Sequence, residues 1–240
     1  MNFVFDLDGT ICFQGQPLEE HICAALDLLL RNGHQVIFAS ARPIRDMLPV
    51  LQEKYHTCAM VGGNGAFTYR QGTVNVTYFS NETTRILKDV IKQFRLTYLA
   101  DSDWDYAYTG STNHPIYRNI DPQKRAVHKG LDELNEICKL VLFSPPNEVK
   151  EVVKKLPVNV FEHHAEDILD ISPMHIDKIS GLHRLQIYEF IAFGNDANDA
   201  CLFEQAVYSV CVGNHPVSEK ATEQIEPSSV AAVIGRIAKG

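Results

Sequence analysis

The stretch Asn2-Phe3-Val4-Phe5-Asp6-Leu7-Asp8-Gly9-Thr10 decides how this chain is read. Phe3, Val4 and Phe5 form a short unbroken apolar run, the pattern of a strand buried on both faces of a parallel sheet. The run stops at charge. Side chains on a strand alternate, so Asp6 and Asp8 tend to project to the same side at its carboxyl end, which is where open parallel sheets bind ligands. Gly9 has no side chain and lets the backbone come close to a ligand.

Outward from this stretch, strand and helix patterns alternate. After Pro17, residues Leu18, Ile22, Ala25, Leu26 and Leu29 share one helical face, with Gly33 as a C-terminal cap. Val36 to Ala39 is a second buried run, and Ile44, Met47, Leu48 and Leu51 after Pro43 give a second amphipathic helix. Ala59 to Val61 is a third run before Gly62-Gly63-Asn64-Gly65. The grammar returns late: Ile191 to Phe193 ends at Gly194-Asn195-Asp196, a helix covers Asp199 to Gln205, and Val207 to Val212 runs to Gly213. Alternation of this kind predicts parallel βαβ units.

Between the two ends the texture changes. Glu82 to Phe94 reads as a helix capped by Ser80 or Asn81, Lys139 to Phe143 as a strand and Asn147 to Leu156 as a helix. Val158 to Glu162 and Ile168 to Ile171 read as further strands. The expected fold is therefore α/β: a Rossmann-like parallel-sheet core with helices on both faces, built from residues 1–79 and 174–240, plus an inserted α+β cap domain over 80–173.

The chain has 240 residues and is 45% hydrophobic, enough to bury a substantial core. With 30 Asp and Glu against 22 Lys and Arg the net charge is −8, without the positive field that draws proteins to nucleic acid. No apolar run approaches the ~18 residues that cross a bilayer, and Asp6 and Asp8 interrupt any secretory leader. Cysteines 12, 23, 58, 138, 201 and 211 are scattered without a CxxC pair. A cytoplasmic protein with neither nucleic acid nor membrane as partner is expected, its cysteines acting as small buried hydrophobes.

Two adjacent carboxylates repel, and are stabilised by a shared cation or by one of them holding a proton. A hard cation such as Mg²⁺ suits the first outcome, and a general acid with a raised pKa the second. A bare D-x-D more often marks a solvated turn, but three further clusters accompany this one. Ala39-Ser40-Ala41-Arg42 lies where a buried strand meets a helix start, a place where a hydroxyl and backbone N–H groups receive anions. Lys178 precedes the helix-like run Leu182, Leu185, Ile187, Tyr188 and is a point charge suited to a phosphoryl group. Gly194-Asn195-Asp196-Ala197-Asn198-Asp199 sets acids and amides directly after a buried strand, where they could close the other side of a cation site.

Taken in this order, the four clusters resemble the haloacid dehalogenase superfamily, and within it the Cof-type phosphatases with a large α/β cap inserted between the second and third motifs. The resemblance covers essentially the whole chain. It implies a Mg²⁺-dependent phosphatase acting on a small phosphorylated metabolite, of the sugar-phosphate kind, through an aspartyl-phosphate. By position, Asp6 would be the nucleophile and Asp8 the acid that protonates the leaving oxygen and then activates water. Ser40, Lys178 and Asn198 would contact the phosphate, and Mg²⁺ would be held by Asp6, Asp8, Asn195 and Asp199, with Asp196 as a substitute. The chain departs from the family pattern twice: Ser40 and Ala41 stand where A-T-G-R has Thr and Gly, and Asn195 stands where G-D-x-x-N-D has its first Asp.

Two rivals follow from the same residues. Some phosphomutases share the cap and the carboxylate pair, although their longer glycine-rich fourth motif is absent here, and a binding or regulatory module without turnover is suggested by Asn195. The cap is expected to carry specificity. Within it Asp103, Trp104, Tyr106, His114 and Arg118 read as core and surface rather than as a substrate clamp. His163 and His164 lack a metal-ligand partner at suitable spacing. The turn holding Asn64 and Gly65 is similar to the family's N-G-A segment, but a hairpin turn accounts for it.

Overall fold

The computed structural model describes residues 1–163 and 167–239, so His164 lies outside the described residues. In chain order the elements are β1 (Asn2–Phe5), α1 (Glu20–Arg31), β2 (Gln35–Ala39), α2 (Ile44–Met47), β3 (Ala59–Gly62), β4 (Phe67–Arg70) and β5 (Thr73–Val76). Then come α3 (Asn81–Phe94), β6 (Thr97–Asp101), β7 (Tyr106–Tyr108), β8 (Lys139–Phe143), α4 (Asn147–Val153), β9 (Val158–His163) and β10 (Ile168–Pro173). The chain closes with α5 (Lys178–Arg184), β11 (Phe190–Gly194), α6 (Ala200–Gln205), β12 (Tyr208–Val212), β13 (Glu223–Ile225) and α7 (Val230–Ile237). Two compact units result, Met1–Val74 with Asp177–Gly240, and Asn75–Ile176.

The first unit is built on a sheet of order β13-β12-β11-β1-β2-β3-β4-β5. From β13 to β3 neighbouring strands run parallel, and β4 turns back antiparallel to β3. This is the α/β parallel-sheet core that the alternating runs predict. Val4, Ile37, Ala39 and Val61 bury one face against Ile179 and Leu182 of α5 and Leu202 and Phe203 of α6. Alternation sends Phe3, Phe5 and Phe38 to the other face, where Phe38 meets the buried ring of Tyr55. There the Tyr55 hydroxyl donates to Cys23 O of α1 at 2.9 Å. The Asn32 amide after α1 donates to Ala238 O after α7 at 2.8 Å, tying these two helices together.

Two helices are shorter than their apolar patterns. The pattern after Pro43 runs to Leu51, but α2 ends at Met47 and a 3₁₀ turn follows over Leu48–Val50. Pro49 is the cause: it has no N–H to continue the ladder, and its ring crowds the preceding turn. Likewise α5 stops at Arg184, where Gln186 turns left-handed at φ 58°. Leu185 and Ile187 remain buried, while Tyr188 is exposed rather than part of the helical face.

The second unit is a five-stranded sheet, β7-β6-β8-β10-β9, antiparallel throughout. Helices α3 and α4 bury Leu87, Val90, Ile91, Val149 and Val153 against Leu140, Leu142, Leu169 and Ile171. Val141 and Ile168, pointing the other way, join Leu99, Tyr108 and Ile120 in a smaller cluster. Ser80 caps α3 by accepting the Thr83 N–H at 3.1 Å, a contact worth about 1 kcal/mol. The six cysteines form no disulfide, and among the described residues no helix is long and apolar enough to cross a membrane.

Candidate active site

Strand β1 ends at Phe5, so both carboxylates lie on the loop beyond it and the loop, not strand alternation, aims them. Leu7 O anchors this loop by accepting the N–H groups of Thr10, Ile11 and Cys12 at 3.1, 3.0 and 2.8 Å. Gly9 turns at φ 80°, and a Cβ there would collide with the Asn195 amide. The consequence is asymmetric: Asp6 is buried and Asp8 is exposed.

Lys178 is the first residue of α5, whose N-terminus is closed by Asp177 accepting the Ser180 N–H at 2.7 Å. That cap fixes the direction in which the helix begins and drives Lys178 inward to 1% exposure. Its Nζ lies 2.7 Å from Asp6 Oδ1 and 2.6 Å from Asp199 Oδ1. The other oxygen of Asp199, itself fully buried, accepts the N–H groups of Asn195 and Asp196 at 2.9 and 3.1 Å. Gly194 permits this, since a Cβ there would press on the Asp199 carboxylate. Burial raises the Asp6 pKa to about 7, with the negative charges of Asp199 and Asp8 adding to it and Lys178 opposing. For Lys178 burial opposes the charge, but Asp199 and Asp6 outweigh it and hold the ammonium protonated.

Asp8 meets Arg42 as a two-pronged pair, Nε to Oδ2 at 2.7 Å and Nη2 to Oδ1 at 2.6 Å. The guanidinium is buried and a fork of this kind fixes orientation as well as charge. Ser40 is buried, and its Oγ accepts the Arg42 N–H at 3.1 Å. The turn after β3 braces this loop: Gly63 N donates to Arg42 O at 2.7 Å and Asn64 N to Ser40 O at 3.0 Å. Asn64 is itself buried in the left-handed conformation, and its Oδ1 receives Asn198 Nδ2 at 3.3 Å.

Asn195 closes the cluster. With its amide nitrogen turned inward, Nδ2 lies 2.9 Å from Asp8 O, 3.1 Å from Thr10 Oγ1 and 3.2 Å from Asp6 Oδ2, and its two hydrogens serve two of these acceptors. Thr10 then spends its single hydroxyl hydrogen on Asp6 Oδ2 at 3.0 Å. Among the described residues no three His, Cys, Asp or Glu side chains gather as a ready metal cluster. The oxygens that do converge are the Asp6 carboxylate, the Asp8 peptide carbonyl and, with the amide reversed, Asn195 Oδ1. Their donor chemistry fits Mg²⁺, which takes hard oxygens at 2.0–2.1 Å in an octahedron whose edge is therefore ~3.0 Å. The inward atom of Asn195 stands at that spacing, 2.9 and 3.2 Å from the other two oxygens.

All the site residues named from sequence fall in the first unit: Asp6, Lys178, Asn195 and Asp199 are joined directly, Asp8 and Ser40 meet through Arg42, and Asn198 is held by Asn64. Thr10, Arg42 and Asn64 carry contacts that sequence reasoning assigned to none of them. The signal for Arg42 was present, a cation three residues beyond a buried strand; Asn64 had only a glycine-rich turn. In the second unit Trp104 donates to Arg125 O at 3.0 Å and His114 caps a 3₁₀ turn through Ile116 N at 3.2 Å.

The family model for haloacid dehalogenase-like hydrolases matches residues 3–234. A curated relative, the 5-amino-6-(5-phospho-D-ribitylamino)uracil phosphatase YitU of Bacillus subtilis (strain 168), is 24% identical over 229 residues, spanning 87% of this chain and 85% of that protein. Among solved structures, the subclass IIB sugar phosphatase BT4131 superposes with a TM-score of 0.82 at 15% identity, over 98% of each chain. TM0651 from Thermotoga maritima superposes with a TM-score of 0.77 at 24% identity, over 98% of this chain and 96% of that one. At these identities the structural likeness speaks to the fold.

Proposed function

Because the chain belongs to the haloacid dehalogenase-like hydrolase family, we propose that it is a Mg²⁺-dependent phosphatase acting on a small phosphorylated metabolite of the sugar-phosphate class. The observation that carries this reading is the buried Lys178 bridging Asp6 and Asp199 at 2.7 and 2.6 Å. A protonated lysine at a carboxylate of raised pKa makes a place where negative charge is wanted on one side and neutralised on the other. Phosphoryl transfer asks for that, since its charge spreads over three equatorial oxygens and catalysis is mainly positioning and compensation.

An Asp6 oxygen attacks phosphorus in line, forming an O–P bond as the bond from phosphorus to the leaving oxygen breaks. Asp8, freed at one oxygen from the Arg42 fork and protonated there, gives that proton to the leaving oxygen. It then takes a proton from water, whose oxygen attacks phosphorus and displaces Asp6, releasing inorganic phosphate and restoring both carboxyls. Arg42 keeps the Asp8 carboxylate oriented, while Ser40 and Asn198 flank the phosphate. Mg²⁺, when bound, supplies neutralising charge between Asp6 and the phosphate. Asp6, the Asp8 carbonyl and the Asn195 amide oxygen would hold it. Asp199 has both oxygens engaged and therefore acts by positioning Lys178 and the loop it belongs to.

Substrate class follows the relatives: YitU is named for a phosphoribityl compound and BT4131 as a sugar phosphatase. Six cysteines outside any disulfide support a reducing cytoplasm as the working compartment. The test is phosphate release from an aryl phosphate and from a panel of sugar phosphates, with and without Mg²⁺. Cation-dependent release that vanishes in Asp6→Asn is expected; wild-type rates in a contaminant-free Asp6→Asn preparation overturn the assignment.

A further inference from the structure

Asn195 does more than replace a carboxylate with a weaker ligand. Three oxygens, Asp8 O, Asp6 Oδ2 and Thr10 Oγ1, converge to within 2.9–3.2 Å of the inner atom of its amide. A nitrogen there has two hydrogens to serve two of them, and it frees the Thr10 hydroxyl to donate to Asp6 Oδ2. An oxygen there faces the Asp6 carboxylate and a peptide carbonyl, with only the Thr10 hydroxyl to bond it. That hydroxyl has one hydrogen, which Asp6 Oδ2 also claims at 3.0 Å. The preference reverses once a cation stands between the oxygens.

Charge points the same way. With all five groups ionised, Asp6, Asp8 and Asp199 are three carboxylates against the two cations Lys178 and Arg42, an excess of one negative charge. A carboxylate at position 195 would make it two in a largely buried cluster. The amide holds the same place without that repulsion, and its N–H groups tie the Asp6 loop to the loop after β11.

Reversal needs little movement. The Asn195 backbone is pinned by Asp199 Oδ2 accepting its N–H at 2.9 Å, and the last torsion of an asparagine is broad and nearly two-fold. Half a turn exchanges Oδ1 and Nδ2 in place, and Gly9 leaves the room for it.

We infer that Asn195 is a two-orientation ligand: its NH₂ braces Asp6 and the Asp8 carbonyl when no cation is present, and the amide reverses to offer Oδ1 when a divalent cation enters. The inference rests on the reading that this pocket takes Mg²⁺. It follows that the pocket is self-supporting without metal, and that the cation must displace the protein's own hydrogen bonds and binds more weakly than to a carboxylate.

The experiment compares wild type with Asn195→Asp by calorimetric titration with Mg²⁺ and Mn²⁺ and by thermal unfolding in EDTA. Asn195→Asp is expected to bind the cation about tenfold tighter or more, as ligand charge dictates, to melt at a lower temperature in EDTA, and to gain more from added Mg²⁺. If that variant folds only with Mg²⁺, Asn195→Ala serves instead, losing stability in EDTA without gaining affinity. Independently, the Asn195 side-chain ¹⁵N–¹H₂ signals, assigned by their absence in Asn195→Asp, should be protected from exchange in EDTA and lose that protection as Mg²⁺ saturates. Equal affinity together with equal melting in EDTA, or an Asn195 signal unmoved through saturation, overturns the inference. Cation binding with reversal but no phosphate release would overturn the phosphatase reading and leave this one standing.

Discussion

Each unit of this protein buries a lysine against aspartate, and the two do so in different architectural places. Lys139 pairs with Asp170 at 2.9 Å inside the antiparallel sheet, on β8 and β10, with Asp101 of β6 opposite Lys139 in the ladder. Lys178 pairs with Asp6 and Asp199 beyond the ends of parallel strands. In an antiparallel sheet neighbouring strands end on opposite edges, so a buried polar group has its partner across the ladder, walled in by strands. In a parallel sheet the carboxyl ends coincide, and the loops after β1, β2, β3 and β11 meet at one edge. The same buried ion pair is a fastening in the first setting and, on the proposed function, part of a reaction site in the second.

Asp6→Asn breaks the comparison most sharply: phosphate release should fall to background while the thermal midpoint holds, because a buried charge has been removed with its shape kept. Asp8→Asn should slow release by about 10² to 10⁴, the usual worth of general acid–base catalysis. Arg42→Lys, which loses the fork but keeps the charge, should cost about tenfold to a hundredfold in kcat through misplacement of Asp8.

Removing either buried lysine leaves carboxylate charge buried without its partner, so Lys178→Met and Lys139→Met should each lose about 3–5 kcal/mol in urea unfolding. The difference lies in turnover. Per folded molecule, Lys139→Met should keep its kcat and Lys178→Met should not, and equal losses of kcat would erase the distinction drawn between the two settings.

The last effect is in pH. Burial raises Asp6 from 3.8 to about 7 in the folded chain, so between those values the folded state holds a proton that the unfolded state has released. Stability then falls as pH rises through that window. Urea midpoints in metal-free buffer, measured from about pH 4 to pH 8, should show this slope in wild type and a flatter one in Asp6→Asn.

Much of this was legible in the chain. Phe3 to Phe5, Val36 to Ala39 and Ile191 to Phe193 are apolar runs long enough for a strand and too short for a helix, so the sheet could be read from them. Asp6 and Ser40 follow those runs directly and Asn195 follows after one glycine, which sets them apart from the other polar residues. Strands β6 and β7 could not be read in this way: Thr97 to Tyr108 mixes aromatic and polar residues, and only pairing with β8 and packing around Val141 makes strands of them. The apolar face that Leu48 and Leu51 continue does not show that α2 ends at Met47, where Pro49 breaks the ladder.

Local pattern thus determined where the chain goes straight, where it coils and which polar residues stand at strand ends, because periodicity and side-chain type act over a few neighbours. Tertiary structure alone decided the pairings. That Asp199 serves Lys178, that Arg42 holds Asp8, that Asn64 supports Asn198 and that the Asn195 amide meets three oxygens are facts about residues up to 185 positions apart. Such contacts depend on which loops the parallel sheet brings to one edge and how deeply each side chain is withdrawn from water, and no short stretch of sequence encodes either.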